Sequence, residues 1–151
     1  MKTPINSFKQ GIKEGRTQYG LWVSLLGPLN TEICAAAGFD WLLLDGEHTP
    51  NDPYNLLQQS QVIAAYPKTH AIARVPIGHG FVGQGLLKQY LDVGIQTVLV
   101  PMVETADQAY RLHKMGYRFA QGFHFARPMP GVDIALLLDV VPASRKVDNL
   151  H

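Results

Sequence analysis

WLLLDGEHTPND, residues Trp41 to Asp52, runs four apolar side chains straight into Asp45, Glu47 and His48. A short apolar run bounded by polar and turn-forming residues reads as a strand of a parallel sheet buried on both faces. Two acids and an imidazole at the carboxyl end of such a strand stand where α/β barrels and open α/β sheets keep their chemistry. The pattern recurs in AIARVP, Ala71 to Pro76, an apolar strand ending in Arg74. A base candidate on one strand end and an anion clamp on the next point to a small carboxylate substrate.

Outward from these two strands the chain alternates between helical and extended periods. Asn6 to Gly15 reads as a helix with Phe8 and Ile12 four apart, and Gln18 to Leu25 as a strand. Helices are predicted over Leu29–Ala37, Asp52–Ala65 (with Pro53 in the first turn), Gly85–Val93 and Thr105–Met115, stopped in turn by Gly38, Tyr66-Pro67, Gly94 and Gly116. Strands are predicted over Trp41–Leu44, Ala71–Val75, Thr97–Val100 and, more weakly, Phe119–Phe125, with a last helix over Gly131–Val141. Regular βα alternation implies parallel strands joined by right-handed crossovers. The expected fold is α/β, built of parallel (βα) units of a TIM-type barrel. About five such units are legible, against the eight strands and roughly 250 residues of a closed barrel, so the barrel is expected to be incomplete. IGHGFVGQG, with Gly78, Gly80, Gly83 and Gly85, reads as a mobile loop at the strand ends. It lacks the lysine of a phosphate-binding P-loop.

At 151 residues the chain has the size of one domain, and its 46% hydrophobic content is that of a globular protein. A formal net charge of +1 without a basic cluster argues against nucleic acid as partner. No apolar run approaches the roughly 20 residues of a membrane helix, and MKTPINSFKQ has no signal core. Cys34 is the single cysteine, which excludes a disulfide framework. A cytoplasmic location is the expectation.

NSFKQGIKEGR, YGLWVSL, AAAGFDWLLLDGEHTPND, ARVP and LLKQYLDVGIQTVLVPMVET together resemble the HpcH/HpaI family, the class II pyruvate aldolases, over residues 6–105. The resemblance implies a (βα)8 barrel, a divalent metal (Mn, Co or Mg) and an oligomeric assembly. It also implies cleavage of a 4-hydroxy-2-oxo acid to pyruvate and an aldehyde. Carried across residue by residue, His48 matches the histidine acting as general base through a metal-bound water, and Asp45 the acid that orients it. Arg74 matches the arginine on the pyruvyl carboxylate and enolate, Trp22 a tryptophan lining the pocket, and Asp92 an acid supporting the site. An enolate needs preorganised positive charge, and an aldol hydroxyl needs a proton carrier active near neutral pH.

Read without the resemblance, the same residues have plainer roles. His48 is then a hydrogen-bonded loop histidine, Arg74 a sheet-end arginine paired to an acid such as Asp45, Trp22 a core residue, and Asp92 a partner for a neighbouring loop. Glu47 reads as facing solvent. His70, His79 and His124 have no ligand spacing. The glutamate and aspartate motifs that hold the metal in the family have no match, which leaves the metal ligands unassigned, with Glu104 of VPMVET as a candidate. A lone carboxylate is a poor divalent site, because hard cations take several oxygens in fixed geometry.

Past Thr105 the pattern changes. Met115-Gly116, Gln121-Gly122, Phe125 and Arg127-Pro128 resemble the end of EAL domains, the cyclic di-GMP phosphodiesterases, over residues 106–130. The place of that family's catalytic glutamate is Pro101 here, so no phosphodiesterase site is expected. The chain divides on this reading into an aldolase-like part (1–105), an EAL-like βα unit (106–139) and a polar tail (140–151), and looks truncated or chimeric. Three functions follow as alternatives: an aldolase impaired by loss of its metal motifs, a non-catalytic oxo-acid binding module, or a structural barrel chimera without activity. An unclosed sheet leaves edges and an apolar face to cover, so self-association is expected.

Overall fold

The computed structural model describes residues 5–117. The chain forms two compact units, residues 1–110 and 111–151. The first unit holds a leading helix α1 (Ser7–Lys13) and the alternating elements β1 (Gly20–Val23), α2 (Pro28–Ala36), β2 (Trp41–Asp45), α3 (Pro53–Ala64), β3 (His70–Arg74), α4 (Gly80–Asp92) and β4 (Thr97–Leu99). A final helix α5 (Ala106–Lys114) begins in the first unit and runs into the second. The four strands form one parallel sheet in the order β1-β2-β3-β4. Sequential order in a parallel sheet with a helix between each pair of strands is the repeat of a TIM-type barrel, and the described residues carry four such βα units. The predicted fifth strand and last helix lie outside the described residues.

The helix ends follow local chemistry. Asn6 caps α1 by accepting the Lys9 N–H at 2.8 Å, and Asp52 caps α3 by accepting the Asn55 N–H at 2.7 Å, with Pro53 at the first helical position. Gly94 ends α4 in the left-handed region at φ 97°, where its N–H reaches Leu91 O and the Ile95 N–H reaches Tyr90 O. This paired closure satisfies the last carbonyls and needs a residue without a Cβ penalty at that position.

Two expectations are corrected. The first strand is shorter than Gln18–Leu25 because the chain leaves the sheet after Val23 to turn through Gly27 (φ 97°) into α2. The glycine-rich segment is not a mobile loop, because α4 starts at Gly80 rather than Gly85 and absorbs three of its glycines. Gly83 is buried against the Gly78 backbone, where an added Cβ would come within 2.7 Å of a main-chain carbon. Its glycines serve close packing at the start of the helix, which outweighs their low intrinsic helix propensity.

Side chains alternate across the sheet. Leu42, Leu44 and Ala73 are fully buried, and the same helix-side core takes Ala35, Leu56, Ile63, Leu87 and Tyr90. The other face carries Trp41, Leu43 and Asp45 beside His70, Ile72 and Arg74, in register. At the amino-terminal end of this face, α1 lays Phe8 edge-on to Trp41 and stacked on His70, with centroids 6.1 and 6.2 Å apart. The buried His70 ring sits 2.8 Å from Thr97 Oγ1, which accepts from Asn6 Nδ2 at 2.9 Å, so α1 is tied to both β3 and β4. His70 is thus part of the packing, in keeping with its lack of ligand spacing. At the carboxyl-terminal end the same face ends in Asp45 and Arg74.

Candidate active site

Asp45 and Arg74 are register partners at the ends of β2 and β3. That alignment places a carboxylate and a guanidinium side by side on one face. Arg74 Nε donates to Asp45 Oδ1 at 2.9 Å and Nη2 to Oδ2 at 2.6 Å, a bidentate pair in which both side chains are nearly buried. Trp22, on β1, donates its indole N–H to Asp45 Oδ2 at 3.1 Å and lies under the guanidinium, with Arg74 Cζ 4.6 Å from the ring centroid. The main chain after β2 folds back over the same carboxylate, so that the N–H groups of Glu47 and His48 donate to Asp45 Oδ1 at 2.9 and 3.2 Å. Burial by itself would raise the Asp45 carboxyl. The Arg74 pair, the Glu47 N–H, the Trp22 indole and the His48 N–H outweigh it and hold the carboxyl well below the usual carboxylate range.

The fold-back depends on Gly46. Its N–H donates to Arg74 O at 2.9 Å, and a Cβ there would meet the Tyr90 hydroxyl at 2.1 Å and Arg74 O at 2.7 Å. Tyr90 is itself buried, and burial followed by the charges of Asp45 and Asp52 pushes its phenol up to about 12. Beyond Gly46, the Asp45 carbonyl accepts from Thr49 Oγ1 and from Asn51 Nδ2. Asn51 Oδ1 in turn accepts from Gln59 Nε2 at 2.8 Å, and Gln59 Oε1 accepts from Thr31 Oγ1 at 3.0 Å. A buried polar chain therefore runs from α2 through α3 to the end of β2 and fixes the loop that carries Glu47 and His48.

Glu47 corrects the expectation that it faces solvent. Its side chain is 12% exposed and its Oε2 stands 2.5 Å from Arg74 Nη1. The His48 ring is 70% exposed, with Nε2 3.7 Å from Glu47 Oε2. Asp45 takes the main-chain N–H of His48, so the acid closest to the imidazole in this arrangement is Glu47. Asp45, Arg74, Trp22 and His48 are thus brought together at the strand ends. Asp92 is not, because α4 leaves the carboxyl end of β3 and Asp92 is its last residue, exposed near the start of β4. A helix of 13 residues is roughly 20 Å long.

No group of three His, Cys, Asp or Glu side chains suited to a metal is present among the described residues. The carboxylates of Asp45 and Glu47 are both turned onto Arg74, a cation already in place. Glu104 is exposed just before α5, where its main-chain N–H donates to Gln108. The described residues therefore do not form a divalent-cation site.

Parallel βα units with polar residues at adjoining strand ends define an α/β fold of the TIM-barrel type, and comparison with known proteins gives it a family. The sequence model of the HpcH/HpaI aldolase/citrate lyase family matches residues 18–135, and the chain belongs to that family. The matched span extends past residue 105. Similar proteins include a 4-hydroxy-2-oxovalerate aldolase of Rhodococcus jostii, 55% identical over 109 residues, covering 72% of this chain and 41% of the relative. A hydroxypyruvate/pyruvate aldolase of Deinococcus radiodurans is 53% identical over 107 residues, covering 71% of this chain and 37% of the relative. The chain thus spans about two fifths of the length of the curated relatives it matches. Among solved structures, an HpcH/HpaI family protein from Burkholderia cenocepacia superposes with a TM-score of 0.67 at 34% identity, over 84% of this chain and 49% of that one. The citrate synthase SbnG shares the fold, with a TM-score of 0.63 at 24% identity, over 88% of this chain and 51% of that one.

Proposed function

We propose that this chain carries the oxo-acid half of an HpcH/HpaI-type aldolase site, acting on a 4-hydroxy-2-oxo acid to give pyruvate and an aldehyde. The observation that carries the proposal is the Asp45–Arg74–Trp22 cluster, with His48 beside it, at adjoining strand ends. Arg74 binds the substrate carboxylate and offsets the negative charge that develops as the enolate forms. A guanidinium fixed before the reaction does this without reorganising in the transition state. Asp45 and Trp22 hold its plane, one along its edge and the other across its face. His48 is the exposed group that carries the proton to and from the aldol hydroxyl, and an imidazole suits that task near neutral pH. The metal that the family implies finds no ligand set of three His, Cys, Asp or Glu side chains among the described residues.

That missing set favours a second reading, an oxo-acid binding module that holds its ligand without turnover. The free edge of β1, which pairs only with β2 among the described residues, supports self-association as a further proposal. Sedimentation of a strictly monomeric folded chain would remove it.

A coupled assay of pyruvate release from a 4-hydroxy-2-oxo acid with Mn²⁺ separates the two readings. Release abolished by His48→Ala and by chelator supports the aldolase. No release from a folded chain that still binds pyruvate supports the binding module.

A further inference from the structure

A guanidinium offers two edges to a carboxylate, one formed by Nε and Nη2 and the other by Nη1 and Nη2. Asp45 fills the first, at 2.9 and 2.6 Å. The second is the edge left for a substrate carboxylate, and half of it is taken. Glu47 Oε2 lies 2.5 Å from Nη1, on a side chain only 12% exposed. Yet this oxygen is buried without a well-directed hydrogen bond to any group. The ion pair with Arg74 is what holds it there. Two acids against one guanidinium also leave the site with more negative than positive charge, which opposes an incoming anion. The His48 Nε2 stands 3.7 Å from the same oxygen, on the solvent side, ready to receive the carboxylate once it moves.

We infer that Glu47 is a specificity residue, an internal carboxylate that holds the Nη1 edge of Arg74 until a substrate carboxylate displaces it toward His48. The inference rests on the proposed role of Arg74 as the carboxylate clamp. It makes oxo-acid binding a competition between two carboxylates. Only ligands that engage both Nη1 and Nη2 displace Glu47 fully, which selects a planar carboxylate over a neutral carbonyl compound.

The test is calorimetric titration of the full chain with oxalate, without added metal, for the wild type, Glu47→Gln, Glu47→Ala and Arg74→Ala. Circular dichroism checks the fold of each, and Glu47→Asp, which draws the carboxylate back by one methylene, replaces any Glu47 variant that unfolds. Removing the competitor is expected to tighten oxalate binding about tenfold in Glu47→Gln, or about 1.4 kcal/mol, and to make Glu47→Ala tighter than the wild type as well. A merely structural glutamate would weaken binding when lost. Equal or weaker binding in the folded Glu47 variants, with binding lost in Arg74→Ala, overturns the competition and leaves Arg74 as the clamp. Unchanged binding in Arg74→Ala, or no binding in any protein, overturns both.

Discussion

Asp45→Asn is the most informative change to the stability of this fold. The substitution keeps the size of the side chain and removes its charge. Asp45 is 2% exposed and accepts from Arg74 twice, from Trp22, and from two main-chain N–H groups. An amide accepts on one side only, and each carboxylate oxygen takes two or more of these bonds, so at least two donors lose their acceptor and the buried guanidinium loses its bidentate counter-charge. Breaking a buried pair by removing one partner costs about 3–5 kcal/mol. Glu47 remains within 2.5 Å of Arg74 and keeps it partly paired, so the lower end, about 3 kcal/mol, is expected. Total stability of a domain is about 5–15 kcal/mol, so the loss is large enough to read from the urea midpoint at neutral pH. Arg74→Met and the double variant complete the cycle. The double variant removes both charges, and its loss is expected to fall short of the sum of the single losses by at least about 1 kcal/mol. Single losses under about 0.5 kcal/mol, or strict additivity, would refute the claim that this pair organises the strand ends.

Other consequences follow from the same geometry. Gly46→Ala forces a Cβ against Arg74 O and the Tyr90 hydroxyl, and backbone cannot yield as a side chain does, so a loss of about 1–3 kcal/mol in thermal unfolding is expected. Gln59→Leu cuts the chain from Thr31 to Asn51 and leaves the buried Asn51 Oδ1 without its donor, while Thr31 Oγ1 keeps Gly27 O, for about 1–3 kcal/mol, and should also raise exchange of the Glu47 and His48 amides. In acid, the Asp45 carboxyl is lowered in the folded state from an ordinary value of 3.8. Its contribution is therefore complete above that value and is lost as pH falls toward the lowered one. Stability measured from pH 6 to 3 should drop more steeply in the wild type than in Asp45→Asn. Equal slopes would show that the pair does not couple to protons.

The sequence was most legible where its chemistry changed abruptly. Apolar runs ending in Asp45 and Arg74 identified both strand ends, and glycines at 94 and 116 marked helix stops. Periodicity says which residues share a face and not their register, but the plain reading of Arg74 as paired to an acid such as Asp45 is met by the alignment of β2 with β3. Glu47 was misread for a related reason. A position two beyond a strand end reads as loop, and only the fold-back of the main chain over Asp45, permitted by Gly46, turns that side chain inward. The start of α4 was missed because glycine lowers helix propensity, whereas packing of Gly83 on Gly78 decides the segment. The polar chain did leave a signal. Gln59 falls between Leu56 and Ile63 on the buried stripe of α3, and a polar residue on such a stripe must find a partner.

The most direct test of the proposed site is saturation-transfer NMR on the pyruvate methyl group, comparing the wild-type chain with Arg74→Ala and Arg74→Lys. Transfer in the wild type that vanishes in Arg74→Ala and is weakened in Arg74→Lys, which keeps the charge but not the planar fork, is the expected result. Equal transfer in all three proteins would contradict it and place oxo-acid binding away from the ends of β2 and β3.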